Sequence, residues 1–143
     1  MNYSHTQKVP SGVMATAVGA GLLLGLTPPG MIMRVALMGV LGAAAASFRS
    51  LTVEIDSRDL KLFFGDGIIK RSFSLADIES ASPMRTTPLM GWGIHWTGRG
   101  WLYNVYGLDA VDLKLKNGKH AFIGTDEPQQ LANAINQSVR ELQ

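Results

Sequence analysis

Histidines and carboxylates are the side chains of this chain best suited to acid–base or metal chemistry, and their spacing argues against both. His95 lies among tryptophans and His120 follows an Asn-Gly pair, each without a companion histidine at ligand spacing. The chain has no cysteine, so thiolate sites for zinc or iron–sulfur clusters are excluded, as is a disulfide framework. No Gly-x-Ser-x-Gly elbow, His-Glu-x-x-His helix or phosphate-cradling Gly-x-x-x-x-Gly-Lys-Ser/Thr loop occurs. These residues predict a protein that is not an enzyme and holds no cofactor or metal.

Two groups suit binding instead. Lys70, Arg71, Arg85 and Arg99 could face anionic headgroups, each contributing about 1 kcal/mol if held near such a surface. The plainer reading is solvated charges on alternate strand positions. Trp92, Trp96, Trp101, Tyr103 and Tyr106 could line a peptide groove or lie at a membrane interface. Their plainer reading is core packing, since large aromatics stabilise small domains. The expected partner or lipid contacts are therefore Lys70, Arg71, Arg85, Arg99, Trp92, Trp96 and Trp101.

The elements that must carry these residues differ along the chain. Of 143 residues, the first fifty hold Lys8, Arg34 and Arg49 and no acid; the remainder holds ten bases and eleven acids. The net charge of +2 thus belongs to the apolar N-terminal third. Nucleic-acid binding needs a concentrated basic face, and the near-neutral remainder predicts none.

Between Lys8 and Arg34 lie 25 residues without a charge. Thr27-Pro28-Pro29-Gly30 breaks any helix there, and a second apolar stretch runs from Met31 to Phe48. Ala17, Gly21 and Gly25, with Gly39–Ala43 and Gly42–Ala46, repeat small residues at four-residue spacing, which lets helices approach closely in lipid. A tail over 1–10 and a transmembrane hairpin of two helices over 11–48 are expected. A buried soluble hairpin and a cleaved signal peptide are the alternatives. Lys8, Arg49, Arg58 and Lys61 place both termini in the cytoplasm by the positive-inside rule.

From Leu51 the period becomes two. Leu51, Val53 and Ile55, then Leu60, Leu62 and Phe64, alternate with polar residues; Gly65-Asp66-Gly67 and Asn117-Gly118 mark hairpins. Trp92–Tyr106 reads as two strands joined near Gly98-Arg99-Gly100. About seven antiparallel strands over 51–143 suggest a barrel or sandwich. A helix over about 127–142, started by Asp126-Glu127-Pro128-Gln129 and striped by Leu131, Ile135, Val139 and Leu142, would cap it.

In that order of elements, the chain resembles bacterial pleckstrin-homology (PH)-like domains of small integral membrane proteins. The resemblance is carried by LKLFFGDG at Leu60–Gly67, GWGI at Gly91–Ile94, GWLYNVYG at Gly100–Gly107, AVDLKL at Ala110–Leu115 and GKHAFIGTDEP at Gly118–Pro128. It implies a mainly-β PH-like barrel behind the transmembrane hairpin, in the bacterial inner membrane. Phosphoinositide recognition does not transfer, because Gly65-Asp66-Gly67 carries an acid where that function needs bases. The function expected is a membrane-anchored interaction or adaptor module at the cytoplasmic face, with a protein partner. The alternatives are a self-associating membrane scaffold and a weak binder of anionic lipid headgroups.

Overall fold

The structure, a computed structural model, describes residues 2–24 and 30–143. Its first element was not anticipated. Tyr3–Lys8, expected as a tail, forms strand β1 and pairs antiparallel with β2 (Ser50–Ile55), Tyr3 opposite Ile55 and Lys8 opposite Ser50. The intervening helices, α1 (Ser11–Leu24) and α2 (Met31–Ser47), are thus an excursion between two neighbouring strands.

Strands β3 (Asp59–Phe64) and β4 (Ile69–Ser74) complete a four-stranded sheet in the order β1-β2-β3-β4. The turn between β2 and β3 is fixed by Asp56, whose carboxylate accepts the backbone N–H groups of Arg58 and Asp59 (both 2.9 Å) and pairs with Lys61 at 2.6 Å. Five further strands follow: β5 (Ile78–Arg85), β6 (Gly93–Trp96), β7 (Gly100–Asn104), β8 (Asp109–Leu115) and β9 (His120–Gly124). They form a second sheet in the order β5-β8-β9-β7-β6. β7 runs parallel to β9, whereas the other pairs are antiparallel. That approach needs Gly100: a Cβ there would overlap the His120 carbonyl.

The alternating apolar residues of both sheets meet in one core, with Leu62, Phe64, Val111, Leu113 and Ile123 excluded from solvent. Helix α3 (Pro128–Glu141) lays Leu131, Ile135 and Val139 into it, while Leu142 stays half exposed. Asp126, expected to start this helix, does not cap it; the Thr125 hydroxyl accepts the Glu127 N–H (3.1 Å) and the Asp126 carboxylate turns to His5 (2.6 Å).

Two expectations need correction. The single barrel of about seven antiparallel strands is instead two sheets of four and five strands, with no closed barrel among the described residues. Chain-distant pairings, β1 with β2 and β7 with β9, account for the change. The transmembrane hairpin is also overturned: among the described residues no helix is long and apolar enough to cross a membrane. The 14 residues of α1 and 17 of α2 reach about 21 and 26 Å, against a hydrocarbon core of about 30 Å. The expected inner-membrane location rested on that hairpin and is withdrawn with it. The expected turn at Thr27-Pro28-Pro29 and the small residue Gly25 lie outside the described residues.

Candidate functional site: an aromatic pocket beside an open strand edge

Each sheet has two outer strands, and two of the four, β5 and β1, are tied to other elements. On β5 the Asn136 side chain of α3 brackets Ala81, donating from Nδ2 to its carbonyl (2.7 Å) and accepting its N–H at Oδ1 (2.9 Å). β1 is tied across to other elements by His5, whose ring faces Asp126 and Glu127 (2.6 and 3.3 Å), and by Gln7. β6 has β7 on one side and, among the described residues, no strand on the other.

At the Gly93 end of β6 lies an apolar pocket of about 490 Å³, lined by Pro88, Gly91, Trp92, Tyr106, Gly107 and Leu108. Its walls come from the segments before β6 and after β7. Pro88–Met90 makes a single 3-10 turn that Gly91 ends at a φ of +67°, a conformation that disfavours side chains with a Cβ. The Trp92 and Tyr106 rings stand 5.5 Å apart, tilted by 47°.

The opposite wall is held from beneath by buried polar side chains. Asn104, wholly excluded from solvent, donates from Nδ2 to the Gly107 carbonyl (3.0 Å) and accepts the Tyr106 N–H (3.2 Å). Gln7 donates to the Tyr106 carbonyl (2.9 Å). Thr86 donates both its N–H and its hydroxyl to the Leu108 carbonyl (2.6 and 2.9 Å). Three buried polar residues from three strands or loops therefore fix one short backbone segment; burying a polar group is costly unless it is satisfied, as at Asn104 and Thr86, whereas the Gln7 Oε1 has no partner among the described residues. The pocket is pre-formed, as ligand sites usually are.

The aromatic block does not act as one cluster. Tyr103 is core, packed edge-on against Phe73 at 6.0 Å; its burial pushes the hydroxyl pKa up, and the Arg71 guanidinium only partly offsets that. Trp96 and Trp101 form a T-shaped cross-strand pair at 6.1 Å near the hairpin tip, both about half exposed. Trp92 belongs to the pocket and is 52% exposed. Exposed tryptophans beside a pocket are the residue type that dominates protein interfaces.

The four cations are not assembled into one patch. Lys70 lies over the Phe63 ring and Arg71 over the Phe73 ring. Arg85 faces Asp109 at 4.0 Å. Arg99 faces Asp112 at 3.9 Å and covers the Phe122 ring. His120 donates from Nδ1 to the Asp112 carboxylate (2.7 Å) while stacked on Phe122. His95 lies on β6. Among the described residues no three His, Asp or Glu side chains converge to hold a metal ion.

Sequence reasoning found Trp92 and Tyr106 but missed Gln7, Thr86 and Asn104. Nothing in their spacing marks them, because their partners are backbone groups brought close only by the fold. No family model and no curated protein matches the chain. The resemblance to PH-like membrane proteins is therefore corrected on two grounds, the absent match and the missing barrel and hairpin.

Proposed function

We propose that the chain is a non-enzymatic protein-interaction module that takes up an extended peptide segment along β6. The segment adds as a further strand, satisfying the free backbone groups of β6, and places an apolar side chain in the Trp92–Tyr106 pocket. Backbone pairing gives affinity in this mode and the side-chain pocket gives specificity. The observation that carries the reading is the pre-formed apolar pocket next to the uncovered edge of the five-stranded sheet.

Displaying random extended peptides against the full chain tests it. Selected peptides should share one apolar residue, lose binding when alternate backbone nitrogens are methylated, and bind Trp92→Ala at least about tenfold more weakly. Binders indifferent to both changes would refute strand addition.

A second reading is self-association, favoured by a different observation. Apart from Arg34 in its first turn, α2 exposes an apolar surface, with Met31, Ile32, Met33, Val35 and Val40 each more than 60% exposed. A patch of several hundred Å² marks an interaction surface, and a stable pair of chains buries about 800 Å² on each. A second copy would supply a matching apolar surface, its Arg34 lying at the helix start, where it can stay at the rim. Sedimentation equilibrium of the full chain should then show a dimer or larger species that Ile32→Glu with Val40→Glu reduces to monomer. A monomer for the unmodified chain would remove this reading and leave the peptide site untouched.

A further inference from the structure

A second cleft, remote in sequence from the aromatic pocket, lies between β4 and the turn joining β8 to β9. Its volume is about 640 Å³, within the range of small-molecule sites. Arg71 enters from β4, and Lys116 and Lys119 from the turn, against the single carboxylate of Asp77. Five of the ten cations elsewhere, Arg49, Lys61, Arg85, Arg99 and Lys114, face a carboxylate. Among the described residues the three cleft cations face none within ion-pair distance. Three positive charges against one carboxylate leave the concavity net positive, which raises the local concentration of anions.

Besides the Asp77 carboxylate, the lining offers groups that can donate hydrogen bonds. Ser72 and Ser74 line the same cleft with hydroxyl donors. The Asn117 side-chain oxygen is occupied by the Lys119 N–H (3.0 Å), which leaves its amide NH₂ as the donor group. The turn itself is fixed, Leu115 donating to the Lys119 carbonyl (2.9 Å) and Gly118 to the Leu115 carbonyl (2.9 Å). Arg71 is steadied by the Phe73 ring, its guanidinium 5.5 Å from the ring centre. A guanidinium fork with two ammonium groups suits a compact, multiply charged oxyanion better than a lone carboxylate.

We propose that this cleft binds a phosphate-bearing anion, with Arg71 as the fork and Lys116 and Lys119 as the point charges. The site is independent of the peptide edge, since it uses neither β6 nor the residues of the Trp92 pocket.

Sodium pyrophosphate titrated into the isotopically labelled full chain at constant ionic strength tests it. The expected result is saturable shifting of the amide signals of Ser72, Ser74, Lys116, Asn117 and Lys119. Lys116→Gln with Lys119→Gln, two exposed turn positions, should weaken binding by about tenfold or more. Arg71→Gln should do the same. Lys114→Gln, on the same hairpin but paired with Glu79, should leave binding unchanged. Linear, non-saturating shifts, or equal binding by the double variant, would overturn the proposal. The source of the phosphate follows from two further arms, glycerol 3-phosphate in solution and phosphatidylcholine vesicles carrying phosphatidic acid. Saturation by the ester alone assigns a soluble ligand. Vesicle co-sedimentation lost in the double variant assigns a headgroup. Binding of neither probe nor pyrophosphate overturns the site.

Discussion

Asn104 shows how one side chain can decide whether a binding pocket exists. It sits at the end of β7 with no solvent exposure, and its amide holds both Tyr106 and Gly107. Asn104→Ala removes a donor and an acceptor at once and strands two backbone groups. It should cost about 2–3 kcal/mol in denaturant unfolding and should reduce peptide binding beyond what the lost stability explains. A second residue-scale effect concerns pH. Burial, with the Glu127 and Asp126 carboxylates adding to it, pushes the Tyr3 hydroxyl up to about 12 from an ordinary value of 10.0. The folded state then keeps its proton where the unfolded chain loses it. The contribution is complete below about pH 10 and is lost as the pH climbs through about 12. Denaturation midpoints measured from pH 8 to 12 should fall over that window, and Tyr3→Phe should flatten part of the fall. At the acid end the sign reverses for Asp56, held well below the usual carboxylate range by Lys61 first and then by the Arg58 and Asp59 N–H groups. Its contribution is present at neutral pH and disappears on strong acidification.

At the scale of elements, the two edges of the five-stranded sheet receive opposite treatment. α3 holds the β5 edge through Asn136, whereas β6 has, among the described residues, no strand on its outer side. Unpaired edges invite association, so proteins usually cover them. Asn136→Ala should therefore destabilise the fold by about 2 kcal/mol and expose a second edge, giving concentration-dependent association by light scattering. The strands with strict alternation, such as Leu51–Ile55 and Leu60–Phe64, were legible in the sequence because one face of each must be apolar. The Asn-Gly turn and the α3 stripe were legible for equally local reasons. β1 was not, because Ser4, His5, Thr6 and Gln7 carry no apolar alternation and the strand is recruited by β2 from across two helices. The parallel pairing of β7 with β9 leaves no local trace either, apart from the small residue at Gly100 that permits it.

For the molecule as a whole, the division into an acid-free N-terminal third and a balanced remainder was visible from charge alone. What that division meant was not. Apolar composition pointed to membrane spans, but among the described residues no helix is long and apolar enough to cross a membrane, and the chain returns after α2 to the same sheet that β1 began. The end of α2 is fixed on that sheet by Arg49 pairing with Asp66 and by Phe48 meeting Phe64 edge-on at 5.5 Å. The resulting molecule presents an apolar helical pair, a basic cleft and an aromatic pocket beside an open strand, and the last is the one with a dedicated buried scaffold. Hydrogen–deuterium exchange of the full chain, with and without a saturating display-selected peptide, tests that central claim most directly. The account predicts new protection at the amides of residues 93–96 and around Tyr106–Leu108, absent with Trp92→Ala. Protection confined to α1 and α2 or to β4, with β6 exchanging as before, would contradict it.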